Sequence, residues 1–143
     1  MMVKLISVYG HELDEEIEVF PFTQENIDAI PDDVLCGNYR IGLIVCNNHF
    51  RVRYYGRSDS NQMTLQQRIR DHHGETTNRE NRIYDDSYYF WYEAANDSIE
   101  AYYQECRDFH SFGTHDIDDF VDNEIHPDTP AGMGHLRCPI PHV

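Results

Sequence analysis

Basic residues are scarce in this chain of 143 residues: 11 lysines and arginines stand against 26 aspartates and glutamates, a formal charge of −15. That balance excludes a diffuse electrostatic grip on DNA or RNA, because a polyanion would meet net repulsion. Long apolar runs are missing as well. Residues 1 to 10 form a strand-like apolar stretch too short, and too quickly followed by acids, to be a signal peptide or a membrane span, so a soluble cytoplasmic protein is expected. Cysteine is sparse, and Cys36, Cys46, Cys106 and Cys138 are far apart. Without an export signal this predicts reduced thiols or a metal site, not a disulfide framework. There is no internal repeat, phosphate loop, dinucleotide fingerprint or nucleophile elbow, which removes kinases, dehydrogenases and hydrolases of the usual motif classes.

What is present is unevenly distributed. Residues 1 to 35 carry one base and nine acids, whereas residues 36 to 75 carry six bases (Arg40, Arg51, Arg53, Arg57, Arg68, Arg70) and three acids. Residues 76 to 110 return to three bases and eight acids, and residues 111 to 143 hold one base and six acids. An acidic body with one basic segment can still hold a phosphate locally.

The length suits one domain over residues 1 to 143. Thr23 caps a short helix through Ile30, which Pro31 ends. Residues 39 to 46 and 50 to 55, joined by Asn47-Asn48-His49, predict a hairpin. Strict alternation in its second arm puts Phe50, Val52 and Tyr54 on one face and Arg51, Arg53 and Tyr55 on the other. Thr64 caps a helix over residues 65 to 73 that stops at Gly74, with Arg68 bordering its buried stripe. Residues 75 to 87 read as polar turns, and residues 88 to 93 as an aromatic strand. The longest helix starts at Asn96, Asp97 or Ser98, with Asp97 and Glu100 spaced for a capping box, and closes near Gly113. The proline- and glycine-marked tail from Phe120 predicts an ordered loop wrapping back. Together these predict a small α/β domain whose three- or four-stranded, mainly antiparallel sheet is flanked by helices.

Two phrases, Gly37-Asn38-Tyr39 and Tyr54-Tyr55-Gly56, lie on the two arms of the hairpin, followed by Arg68 in Leu65-Gln66-Gln67-Arg68 and by Glu105 on the long helix. In that order they resemble the GIY-YIG nuclease superfamily, with the likeness covering roughly residues 36 to 126. A second alignment takes Gly42-Leu43-Ile44 as the first phrase, which would leave its tyrosine absent. The resemblance implies metal-dependent phosphodiester hydrolysis, with Tyr39 and Tyr54 orienting or deprotonating water, Arg68 on the phosphoryl oxygens and Glu105 holding Mg2+ or Mn2+. Asn123 matches an asparagine near the end of the family core. Nucleic acid is the implied partner, DNA ahead of RNA, with help from a protein partner or a homodimer and no membrane.

Beside the resemblance, His72 lies one helical turn after Arg68 and is a candidate to share the base role. Arg57 and Asp59, just after Gly56, read as turn and phosphate-rim residues. Bland readings of the same residues are strand aromatics for Tyr39 and Tyr54 and a surface ion pair of Arg68 with Asp71 or Glu75. Cys106 and His110, four apart on one helix, together with His126 and Cys138 from the tail, could form a four-ligand structural Zn2+ site, with His115 and His135 as substitutes. Two rival functions remain: a nuclease-fold module that binds without cutting, and a protein-interaction domain suited to the −15 charge, such as an immunity or nucleic-acid-mimic protein.

Overall fold

In the computed structural model, residues 1–7, 10–59, 63–74, 83–114, 121–123 and 126–140 are described. Six segments expected to be strands or capped helices form close to their sequence bounds. β4 (Gly37–Val45) turns through a short 3-10 segment, Cys46–Asn48, into β5 (His49–Ser58), and β6 (Tyr89–Ala94) pairs antiparallel with β4 on the other side. Around this centre lie β1 (Met2–Ile6), β2 (Glu12–Glu18) and β3 (Phe20–Pro21), with helices α1 (Gln24–Asp28), α2 (Leu65–His72) and α3 (Ser98–Phe112).

The sheet corrects the expected architecture. It has six strands in the order β2-β1-β5-β4-β6-β3, not three or four, and β1 runs parallel to β5, so the sheet is mixed. Two physical features concealed the outer strands. β2 has only Leu13 and Ile17 turned inward among its acids, so it reads as a polar loop although Ile17 pairs with Val3. β3 is two residues long and ends in proline, which is tolerated at a sheet edge where no ladder donor is needed.

A second correction concerns which side chains share a face. The β4–β5 register slips between Ile41, which faces Tyr54, and Gly42, which faces Val52, leaving Arg53 as an extra residue. One inserted residue reverses the alternation beyond it. Tyr55, not Tyr54, therefore joins Phe50 and Val52 in one core cluster, while Tyr54 packs with Tyr39 and Ile41 in the other. This bulge is what brings the tyrosines of the two phrases to the same side.

The two faces are covered by different helices. On β4, Asn38 donates to the Ala101 carbonyl of α3 (2.9 Å) and Arg40 to Asp108 of α3, while Tyr39 between them turns to His72 of α2. Gln66 of α2 donates to the carbonyls of Ile27 (3.1 Å) and Ile30 (3.0 Å), closing the end of α1 and binding both helices to that face. Thr64 and Gln67 form a full capping box on α2. On α3 only half of the expected box exists: Asp97 accepts from the Glu100 amide at 2.8 Å, whereas Glu100 takes the Asn96 side chain. Gly113, at φ 74°, ends α3 in the left-handed region.

Beyond Arg51 the outer edge of β5 has no partner strand among the described residues; residues 121–123 occupy part of it instead. The Asp122 amide donates to the Arg53 carbonyl at 2.7 Å, and the Asn123 side chain meets both the amide and the carbonyl of Tyr55, at 3.1 and 2.8 Å. Residues 126–140 wrap back without helix or strand, held by turns such as the Leu136 amide on the Met133 carbonyl (3.0 Å).

Candidate functional site

Tyr39 sits at the middle of the α2 face. Its ring lies across Gly56, where an added Cβ would come 2.5 Å from the phenol oxygen, so only glycine leaves room for it. The phenol meets His72 Nε2 at 2.8 Å, and Tyr54 stacks beside both, 6.2 Å from the Tyr39 ring and 4.6 Å from the imidazole. Burial pushes the Tyr39 phenol well above the ordinary tyrosine range, with Tyr54 and Glu105 adding to the rise and Arg68 opposing it. Burial also lowers the His72 imidazole to about 4. Both partners of the hydrogen bond are thus neutral near pH 7.

Arg68 stands one turn before His72 on α2, and its charge acts on both Tyr39 and His72. Its Nε is buried and makes no hydrogen bond to any described residue. The alternative ion-pair partner Glu75 lies outside the described residues.

The carboxylate half stands apart from this group. Glu105 projects from α3, on the opposite face of the sheet from Tyr39, and its partner is Arg57 (3.0 Å). Arg57 also binds Asp59 through Nε at 2.7 Å, donates to the Asp128 carbonyl, and lies 5.2 Å from the Tyr102 ring. Burial raises the Glu105 carboxyl to about 7, with Arg57 pulling it down and Asp108 and Asp59 pushing it up. Tyr39, Tyr54, Arg68 and His72 therefore form one group, and Glu105, Arg57 and Asp59 a second.

Neither a family model, nor a curated protein, nor a solved structure matches this chain. Its residues alone must carry the functional reading.

A third group lies further along α3. Ligand atoms of Cys106, His126 and Cys138 fall within 4.8 Å of one another, a cluster able to hold a metal ion. His110, the fourth ligand expected from the sequence, is outside that group of three, although its Nε2 is 3.5 Å from Cys138 Sγ. His135 is not part of this cluster, and His115 lies outside the described residues. Asn123 serves the β5 edge, as described above.

Sequence reasoning missed Arg57 as the cation on Glu105, although both sat among its candidates. It also missed two buried ion pairs: Arg40 with Asp108, and the bulge residue Arg53 with Asp122 at 2.9 Å, where Tyr84 also donates to Asp122. A signal for the first existed in the alternation of β4, which puts Arg40 on the same face as Asn38.

The depressed His72 value predicts an acid-side loss of stability. Between about 6.5 and about 4 the unfolded chain binds a proton that the folded chain refuses, so this stability is complete above pH 6.5 and is lost as pH falls through that window. The expected loss between pH 7 and pH 5 is about 2 kcal/mol. Urea unfolding of wild type and His72→Gln at both values checks it; an equal drop in both proteins would remove His72 as the source.

Proposed function

We propose that the protein hydrolyses phosphodiesters of nucleic acid as a divergent GIY-YIG-like nuclease, with the scissile phosphate at the β5 edge between α2 and α3. The single observation that carries this reading is the buried, unbonded Nε of Arg68 beside the Tyr39–His72 hydrogen bond: an unmet guanidinium donor next to a neutral proton-accepting pair. Arg68 would donate to a phosphoryl oxygen. Water attacks phosphorus as its proton passes to the Tyr39 oxygen and the phenol proton passes to His72 Nε2; the P–O bond to the leaving oxygen breaks, and that oxygen is protonated from solvent.

Tyr39 is too well buried to ionise unaided, which is why the imidazole partner matters to this scheme. Glu105 and Asp59 converge on one guanidinium, and two carboxylates around one cation are also the hard oxygen set that Mg2+ or Mn2+ takes. Such an ion supplies charge relief on the phosphate and the leaving group. It is distinct from the Zn2+ that suits Cys106, His126 and Cys138. The acidic body favours a substrate delivered by shape or by a protein partner, DNA ahead of RNA, over one captured by bulk charge.

The test is a panel of labelled single-stranded, duplex and branched DNA and RNA, incubated with Mg2+, Mn2+ or chelator, with Glu105→Ala in parallel. Metal-dependent products that vanish in the variant are expected. Binding without products would instead favour the silent nuclease-fold module, and neither binding nor products the protein-interaction reading.

A further inference from the structure

The tail of this protein has little secondary structure of its own, yet it reaches the guanidinium that holds Glu105. Residues 126–140 contain only turns, and Arg57 donates to the carbonyl of Asp128, two residues after His126. Something other than a ladder of backbone hydrogen bonds must keep that segment against α3.

The side chains at the contact have the chemistry for it. Cys106 is fully buried on α3, and His110 follows one turn later on the same side of the helix. From the tail, His126 and Cys138 bring their ligand atoms to within 4.8 Å of each other and of Cys106. A tetrahedral zinc ion with bonds of about 2.3 Å to sulfur and about 2.0–2.1 Å to nitrogen separates a sulfur from a nitrogen by roughly 3.6 Å. The observed separation of His110 Nε2 and Cys138 Sγ is 3.5 Å. His126 Nδ1 lies 2.9 Å from the Pro127 carbonyl, so that nitrogen carries the proton and Nε2 presents the lone pair, the orientation that backbone carbonyls impose on metal-binding histidines.

We propose that Cys106, His110, His126 and Cys138 form a closed, four-coordinate zinc centre that fastens residues 126–140 across α3 and thereby seats the Asp128 carbonyl on Arg57. Two thiolates with two imidazoles select Zn2+ over the oxygen-preferring Mg2+ and Ca2+, and four protein ligands leave no open position for chemistry. The role is positional. A Cys106–Cys138 disulfide is the competing use of the two sulfurs, and it would exclude zinc from the site.

Elemental analysis of protein refolded with reductant and Zn2+ should find one zinc per chain, resistant to gel filtration. Cys138→Ser, in the half-buried tail, should lose at least ten-fold in zinc affinity, while Cys36→Ser and Cys46→Ser should keep full content. Cobalt substitution of the wild-type protein should give the visible bands of tetrahedral Co2+ with thiolate charge transfer, altered in His110→Gln. Chelation should speed hydrogen exchange of the Met133 and Leu136 amides at least ten-fold and leave that of Ile41 and Tyr54 on the central strands unchanged. Iron in place of zinc, less than a fifth of an equivalent of zinc in the wild type, full zinc in Cys138→Ser, or tail exchange indifferent to chelation would each overturn the proposal. None of these readouts uses activity, so they are decided separately from the phosphodiester reading.

Discussion

Replacing Arg68 with alanine is expected to lower metal-dependent cleavage by roughly 10²–10³-fold, the usual cost of removing one directed donor from a developing oxyanion. The substitution removes a half-buried side chain whose Nε has no described acceptor, so little native bonding is lost with it. Stability should change by less than about 1 kcal/mol. Arg68→Lys should restore little, because an ammonium cannot reproduce the fork of a guanidinium on a phosphate. Single-turnover cleavage with saturating enzyme separates the effect on chemistry from that on binding. An Arg68→Ala protein as active as wild type would remove Arg68 from the site and with it the observation on which the proposed function rests.

The largest effect on stability is expected from Asp108→Ala. Arg40 and Asp108 are each 2% exposed and joined by two hydrogen bonds, Nη2 to Oδ1 at 2.7 Å and Nε to Oδ2 at 3.2 Å. The Arg40 guanidinium also lies 4.1 Å from the Trp91 ring, and Gln104 donates to Asp108 at 3.0 Å. Removing the carboxylate leaves the buried cation between β4 and α3 with only the more distant, half-exposed Glu15 carboxylate at 3.7 Å, which costs about 3–5 kcal/mol. The double replacement Arg40→Met with Asp108→Leu should recover most of that loss, because desolvating both charges offsets much of what their attraction contributes. Urea unfolding of the three variants measures it. A single variant within 1 kcal/mol of wild type would show that water reaches the Arg40 site.

These two arginines illustrate what can be read from the chain. Arg68 was legible because its helix repeats at three and four residues, with Thr64 capping it and Leu65 and Ile69 setting the buried stripe. A local rule therefore placed it. Alternation along β4 put Arg40 on the face of Asn38, but its partner lies 68 residues away, so no local pattern named Asp108. Arg57 and Glu105 were both visible as candidates, but their pairing depends on where α3 crosses β5, a property of the assembled sheet. Tyr54 shows the same limit more sharply. Period-2 alternation assigned it to the face of Phe50 and Val52, and one unpaired residue at the bulge reversed that assignment.

By itself the sequence determined the central hairpin, the ends of α2 and α3, the acidic charge balance, and where the candidate tyrosine, arginine, histidine and cysteine side chains stand along those elements. All of these follow from short-range periodicity, capping and composition. Tertiary structure alone decided the six-stranded mixed sheet, the side of the sheet to which each candidate turns, and the convergence of Cys106, His126 and Cys138. The physical reason is common to all three. A parallel pairing of β1 with β5, a bulge at Arg53 and a tail folded onto α3 are long-range pairings, selected by burial over the whole chain and encoded in no single window of it.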